Sequence, residues 1–254
     1  MEFTFAPMTG LGSADGALLM RSAVKQMCQR RGLLATFMCT PGLPNFFSSG
    51  WHLHQSLTRR GTGENAFASP EAPLSADGRG YVSGLLDHAL PMMLFAVPTV
   101  NGYRRFRPYS FAPDRVCWAI ENRGALVRVQ GSAGDSSSHV ENRIGEPAAN
   151  PYFYMAANIA AGLDGIRRGL DTPPVEDDPY AAQAPMLPTS LAEAIKALDA
   201  DEFYRGAFGS TVVDYLLMMK RSELDRYEAA RAQHPPADDQ PVTDWEMREY
   251  FEFF

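Results

Sequence analysis

The sequence predicts an α+β domain in which antiparallel strands carry helices packed outside. Three observations lead there. Several short segments alternate apolar and polar residues, as half-buried strands do. Other segments show helical three-and-four spacing with recognisable caps. No internal repeat and no clear linker divides the 254 residues, a length that suits one large domain or two small ones. One domain over 1–254 is therefore expected.

The elements follow in chain order. "MEFTFAP" reads as an aromatic, alternating strand that opens with no lead-in, as if cut from a longer chain. Ser13 to Arg31 reads as a helix, with Ala17, Met20, Val24 and Met27 on one face and Gly32 as its stop. "LLATFMC" (33–39) reads as a buried strand and "TPGLPNFFSSG" as a loop. "WHLHQSL" is a strand again. It puts Trp51, Leu53, Gln55 and Leu57 on one face and His52, His54 and Ser56 on the other. Residues 58–80 are polar and glycine-rich, a surface connection. Tyr81 to Phe95 reads as one helix, closed by Pro98. After the loop "NGYRRFRPYSFAP" come strands in "VCWAIENR", "ALVRVQG" and "SHVENRIG", the last with His139, Glu141 and Arg143 on one face. Asn150 caps and Pro151 opens a helix to Arg168, with Tyr152, Met155, Ile159, Leu163 and Ile166 as its apolar face. Ser190 and Glu193 make a capping-box pattern for a short helix. A longer helix runs from Thr211 to about Gln233, stopped by Pro235 and Pro236, and "WEMREYFEFF" is a terminal aromatic helix.

A net charge of −7 argues against nucleic-acid and membrane partners, although Arg104, Arg105 and Arg107 form a local basic cluster. Cys28, Cys39 and Cys117 sit in apolar segments without paired spacing, which reads as reduced thiols of a cytoplasmic protein. The longest apolar run, "LPMMLFAVPTV", contains two prolines and is too short to span a bilayer.

The polar strand faces carry the chemistry. Imidazoles and carboxylates ligate divalent cations, and His52 and Glu141 meet if their strands are neighbours. Arg105, Arg123, Arg128 and Arg143 fall in or beside the same strands, and arginine forks bind carboxylate and phosphate oxygens bidentately. Ligands for a divalent cation beside several arginines describe a site for an anion-rich substrate pair, such as a nucleoside triphosphate and a carboxylate. Taken alone, His-x-His is a weak signal, and strand arginines more often form surface ion pairs. Other chemistries lack their parts. No glutamate follows closely enough for a cupin, and no glycine-rich phosphate loop or nucleophile elbow is present.

Longer motifs narrow the reading. "GLLATFM" followed by "SGWHLHQSL", then "NGYRRFRP", "ENRGALVRV", "VENRIGEPAANPYFYMAANIAAGLDGI", "SLAEAIKALDAD" and "VTDWEMREYFEFF" together resemble, in order and spacing, the C-terminal part of the catalytic domain of glutamine synthetases. The resemblance covers the chain from about Glu2 to its end. It implies a curved antiparallel sheet with helices outside, and it implies that the N-terminal part of the domain, with further glutamate ligands, is missing here. It implies ATP as substrate and Mg2+ or Mn2+ as cofactor, with Glu2, His52 and Glu141 as metal ligands. His54, Ser56, Arg123 and Arg128 would hold ATP, Arg123 also serving catalysis, and Arg105 and Arg143 would hold glutamate. The implied reaction phosphorylates the glutamate γ-carboxylate and lets ammonia or an amine displace phosphate, in a homo-oligomeric ring. The alternative is a non-catalytic fragment or scaffold of the same ancestry.

Four positions depart from the family pattern. Phe47 and Ser48 stand where an Asn-Gly pair is usual, Phe111 stands where a glutamate guards the ammonium site, and His139 replaces an arginine. An uncharged aromatic ring can neither stabilise ammonium by charge pairing nor take its proton. Phe46, Phe47 and Phe111 are therefore expected to line a pocket for a larger, less polar amine.

Overall fold

Short strands, each no more than four residues long, build the centre of the molecule. The computed structural model describes residues 2–107, 109–235 and 242–254. In these, β1 (Leu53–Gln55), β2 (Trp118–Ile120), β3 (Val127–Gln130) and β4 (His139–Asn142) form one open sheet in the order β1-β4-β3-β2. β4 runs antiparallel to both β1 and β3, as expected, but β2 and β3 pair parallel. Parallel neighbours ordinarily need a long crossover. Here the strands are so short that the chain returns within a loop, turned by Glu121 at φ 52°.

Period-two alternation sorts the sheet into two faces. Val127, Val129 and Val140 point inward and are fully buried. Helices α2 (Ala76–Asp87), α3 (Ala89–Ala96) and α4 (Pro151–Arg167) lie over them, with α1 (Gly12–Gln29), α5 (Leu191–Asp199), α6 (Glu202–Phe208), α7 (Ser210–Gln233) and α8 (Asp244–Tyr250) outside. Val213, Leu217 and Tyr250 join α7 and α8 to the same core.

A buried amide network locks the register. Asn142 on β4 and Gln55 on β1 both donate to Asn158 Oδ1 of α4, at 2.8 and 3.1 Å. Tyr81 of α2 donates to Gln55 Oε1 at 2.7 Å. A slip of one residue would turn each of these amides outward and leave buried partners unmet. The lock therefore fixes which residues reach the opposite, polar face.

Several expectations need correction. Residues 2–9 form no strand, since no neighbour within the described residues offers them a ladder, and Phe3 and Phe5 stay exposed. Residues 33–39 likewise lack a ladder. Leu33 and Leu34 are exposed, whereas Met38 and Cys39 are buried. The predicted 81–95 helix begins earlier and breaks at His88. Pro91 has no N–H for the Asp87 carbonyl, so the helix restarts with Pro91 in its first turn. Residues 58–80 are not all surface: Phe67 and Leu74 enter the core and Ser75 caps α2. The buried face of α4 is Tyr154, Ala157, Asn158, Ala161, Gly162 and Gly165, not the predicted row of larger side chains; Ile159 is exposed. Small residues win that face because α2 crosses at backbone distance. A Cβ at Gly84 would lie 2.0 Å from the Ala161 carbonyl oxygen. Cys28 is only half-buried.

The caps behave as read. Asn150 accepts from the N–H groups of Tyr152 and Phe153, and Ser190 accepts from that of Glu193. The Glu193 carboxylate reaches back to the Thr189 N–H rather than to Ser190, so the full capping box belongs to Thr243 and Glu246 of α8. α7 ends at Gln233 ahead of Pro235; Pro236 lies outside the described residues. No helix among the described residues is long and apolar enough to cross a membrane.

Candidate active site

The outer face of the sheet carries a row of polar groups set by strand register. His54 of β1 and Arg128 of β3 both stand directly opposite Glu141 of β4. His52, just before β1, and Arg143, just after β4, extend the row on the same face.

Glu141 is its centre. The carboxylate is buried, and its oxygens meet His52 Nδ1 at 2.9 Å, Arg128 Nη1 at 3.3 Å and Arg143 Nη1 closer still. Burial on its own raises the pKa of the carboxyl group. The hydrogen bond from His52 and the Arg143 charge outweigh it and bring the group down to about 2. Glu141 is thus ionised at any physiological pH. Burial and the neighbouring arginines hold His52 below its usual value despite Glu141, and burial does the same for His54. Neutral imidazoles facing an ionised carboxylate fit a divalent cation by donor type.

The arginines divide by what already occupies them. Arg128 also pairs with Glu121, and its buried Nε lacks a hydrogen-bond partner. Arg143 donates to Glu141, to the Arg123 carbonyl at 2.9 Å and to the Phe111 carbonyl at 3.2 Å. Arg105 is buried and donates to the carbonyls of Arg143, Ile144 and Gly145. It clamps the chain leaving β4 under the site, so most of its fork is committed. Arg104 pairs with Glu246 and Tyr227, so two members of the basic cluster, Arg104 and Arg105, are internal braces, and Arg107 is exposed. Gly50 lets His52 and Arg105 close up: a Cβ there would lie 2.9 Å from His52 Nε2 and 3.2 Å from Arg105 Nη2.

Other expected residues sit at the margin. The side chains of Arg123 and Ser56 are exposed beside the row and make no hydrogen bond or ion pair within the described residues. Glu2 is exposed in the N-terminal segment and is not brought to His52 and Glu141. Phe46, Phe47 and Phe111 are exposed, Phe47 by 89%, and none stacks on another. Phe111 is nevertheless anchored: its carbonyl is held by Arg143, and it and Tyr109 both carry φ of 59°. Such values are unusual for bulky residues.

Among the described residues, one group of three metal-type side chains converges: Asp87, His88 and Asp164, at the break between α2 and α3. Arg168 lies among them, 2.6 Å from Asp87 and 3.0 Å from Asp164, and His88 stacks on Phe203. The group reads as an ion-paired brace. The sequence reading missed Glu121, Gly50 and the Gln55–Asn142–Asn158 lock, because each matters only through a partner distant in sequence.

Comparisons with known proteins bear on family and fold. The family described as glutamine synthetase, catalytic domain, matches residues 1–250. The chain belongs to the glutamine synthetase family. It is 51% identical over 257 residues to γ-glutamylanilide synthase from Acinetobacter sp, an alignment that takes in 99% of this chain and 51% of that protein. It is 37% identical over 262 residues to glutamine synthetase from Pyrococcus abyssi, covering 98% of this chain and 58% of that one. The chain thus spans about half the length of the curated relatives it matches. Solved structures of GmaS without ligand and in complex with ADP each superpose with a TM-score of 0.77 at 31% identity. They cover 93% and 94% of this chain, and 52% and 54% of theirs. The glutamine synthetase fold is therefore this chain's fold.

Proposed function

We propose that the chain carries the metal and nucleotide side of an ATP-dependent ligase that joins the γ-carboxylate of glutamate to an aromatic amine. The reaction runs through γ-glutamyl phosphate and releases ADP and phosphate. The observation that carries this reading is the Glu141 constellation: one buried, ionised carboxylate between two imidazoles and two arginines on a register-locked sheet face.

His52 and Glu141 would hold a divalent cation, Mg2+ or Mn2+, with Glu2 an expected ligand of another. Bound there, such an ion supplies charge neutralisation for the phosphate oxygens. Arg123 and Arg128 bind the phosphates, and Arg123 reaches the transferring group because its side chain is free and its carbonyl is fixed by Arg143. His54 and Ser56 line the nucleotide side. Arg143, and Arg105 through its uncommitted N–H groups, orient the glutamate carboxylate. In a complete, cytoplasmic enzyme the site would be finished by other parts of a homo-oligomeric ring.

Two points support the aromatic amine. Phe111 replaces a carboxylate at the rim, and the relative sharing 51% identity is a γ-glutamylanilide synthase. Aryl amines are weak bases and stay neutral near pH 7, so they need neither an anion to bind them nor a base to deprotonate them before attack; the proton lost on amide formation leaves with the departing phosphate. Phe46, Phe47 and Phe111 then supply ring contacts. Turnover with aniline, alkylamines and ammonium tests this; preference for ammonium overturns it. The second reading, a non-catalytic relative, draws on Glu2, which belongs to no converging group of three metal-type side chains among the described residues. Calorimetric titration with Mn–ATP separates the two: the ligase reading expects binding that Glu141→Gln abolishes, and the non-catalytic reading expects none.

A further inference from the structure

The turn that presents Phe111 is bent against its own preference. Tyr109 and Phe111 both hold φ of 59°, and both side chains are largely exposed, at 76% and 67%. Bulky residues keep that conformation only where their surroundings impose it, and such positions cluster at active sites and ligand clamps. Contacts on both sides impose it here. Arg143 Nη2 donates to the Phe111 carbonyl at 3.2 Å. The Ser110 hydroxyl donates to the Arg107 carbonyl at 2.5 Å. The Tyr180 hydroxyl donates to the Ala112 carbonyl at 3.1 Å. The Tyr109 ring leans on the Tyr180 ring, with centroids 4.9 Å apart and planes at 46°.

Tyr180 comes from the connection between α4 and α5, and that connection is itself tied down. The Tyr180 carbonyl accepts from Arg115 Nε at 3.1 Å, and the Asn122 amide donates to the Asp177 carbonyl at 3.1 Å. The Tyr180 ring lies against Gly124, where a Cβ would stand 2.9 Å from a ring carbon. Gly124 follows Arg123, whose carbonyl accepts from Arg143. The contacts therefore close a circuit from Arg143 through Phe111, Ala112, Tyr180, Gly124 and Arg123 back to Arg143. Burial raises the pKa of the Tyr180 hydroxyl, so it remains a donor at neutral pH.

We propose that Tyr180 is a positioning residue for acceptor specificity: its hydroxyl and ring hold the strained turn so that Phe111 stands at a fixed place beside Arg143 and Arg123. The inference rests on the aromatic-amine reading of Phe111. Phe111 stacks on no other ring among the described residues, so its order comes from the backbone that Tyr180 and Arg143 grip. A ring already ordered loses less freedom when an amine packs on it, and affinity gains by that amount.

Titration of the purified chain with 4-fluoroaniline, followed by 19F NMR, reads binding without turnover. Phe111→Ala tests the amine reading and should weaken binding by about 10-fold. Tyr180→Phe loses the bond to Ala112 but keeps the ring on Tyr109 and Gly124. It should weaken binding by about 3- to 10-fold, and Tyr180→Leu, which loses the ring as well, should weaken it further. Calorimetric affinity for Mn–ATP should be unchanged in Tyr180→Phe, because the ring that backs Gly124 and Arg123 is kept. Wild-type 4-fluoroaniline affinity in both Tyr180 variants, with Phe111→Ala weakened, overturns the proposal and leaves the amine reading standing. Equal loss of 4-fluoroaniline and Mn–ATP affinity in Tyr180→Phe marks general loosening and also overturns it. No binding to the wild type, or none lost in Phe111→Ala, removes both.

Discussion

Replacing Glu141 with Gln is the most informative single perturbation of this site. The variant keeps the shape and removes the charge that His52, Arg128 and Arg143 surround. Glu141 is held at about 2 against an ordinary 4.5. At about 1.4 kcal/mol per tenfold in acidity, that gap is worth roughly 3 kcal/mol. Screening at the open mouth of the site, where His52 is 31% exposed, reduces the figure to about 2 kcal/mol. Working against that reduction, Arg143 would remain buried and short of its partner, a situation that costs about 3–5 kcal/mol elsewhere. A loss of about 2–4 kcal/mol at pH 7 is expected. Because the folded group is more acidic than the unfolded one, its contribution is present above about pH 4.5 and is lost as pH falls toward 2. Urea unfolding from pH 7 to pH 2, at fixed protein concentration, checks this. The wild-type and Glu141→Gln stabilities should converge through that window with unchanged denaturant slope. A difference below about 0.5 kcal/mol at pH 7, or one that persists undiminished at pH 2, would refute the assignment of Glu141 as an ionised hub.

Three other predictions concern the frame. Glu146 is fully buried, with Thr99 as its hydrogen-bond partner, and burial pushes it up to about 8 from 4.5. Its contribution is complete below about pH 4.5 and fades as pH rises to 8, so Glu146→Gln should flatten the alkaline slope of thermal stability between pH 5 and 9. Gly84→Ala drives a methyl group to 2.0 Å from the Ala161 carbonyl oxygen and should destabilise by about 1–3 kcal/mol or more. Gly206→Ala in α6, with nothing within 4 Å, should be neutral or stabilising by up to about 1 kcal/mol; equal effects in the two variants would contradict the glycine crossing. Asn150→Ala removes the cap of α4 and should lose about 1 kcal/mol in chemical unfolding.

What could be read from sequence was what depends on neighbours along the chain. Asn150 and Pro151 announce α4 because capping is a local bargain between a side chain and the next two or three N–H groups. The His52/His54 and His139/Glu141/Arg143 faces could be seen because alternation is intrinsic to a strand. The failures share the opposite cause. The opening "MEFTFAP" and residues 33–39 look like strands, but a strand exists only where a partner supplies a ladder. The α4 face was misassigned because large apolar residues mark burial only when the neighbouring helix stands off; Gly80, Gly84 and Gly165 bring α2 to backbone contact, so small residues take the inside. The occupancy of Arg105 by three carbonyls was likewise invisible, since an arginine that clamps backbone and one that awaits substrate look alike in a motif.

The two faces of the sheet explain why this site tolerates so much buried charge. A cluster of two histidines, two arginines and one carboxylate gains little net stability by itself, because desolvation offsets the attraction. Its geometry has to be imposed from outside. Here the imposition comes through the sheet: Gln55, Asn142 and Asn158 meet on the inner face, each one residue away from His54, Glu141 or the helix that covers them. Because alternate residues on a strand are rigidly related, locking the inner amides locks the outer ionisable groups in register. The polar face can then be organised for binding anions and a cation rather than for holding the fold, and it is free to vary at positions such as His139 and Phe111 without loss of the frame.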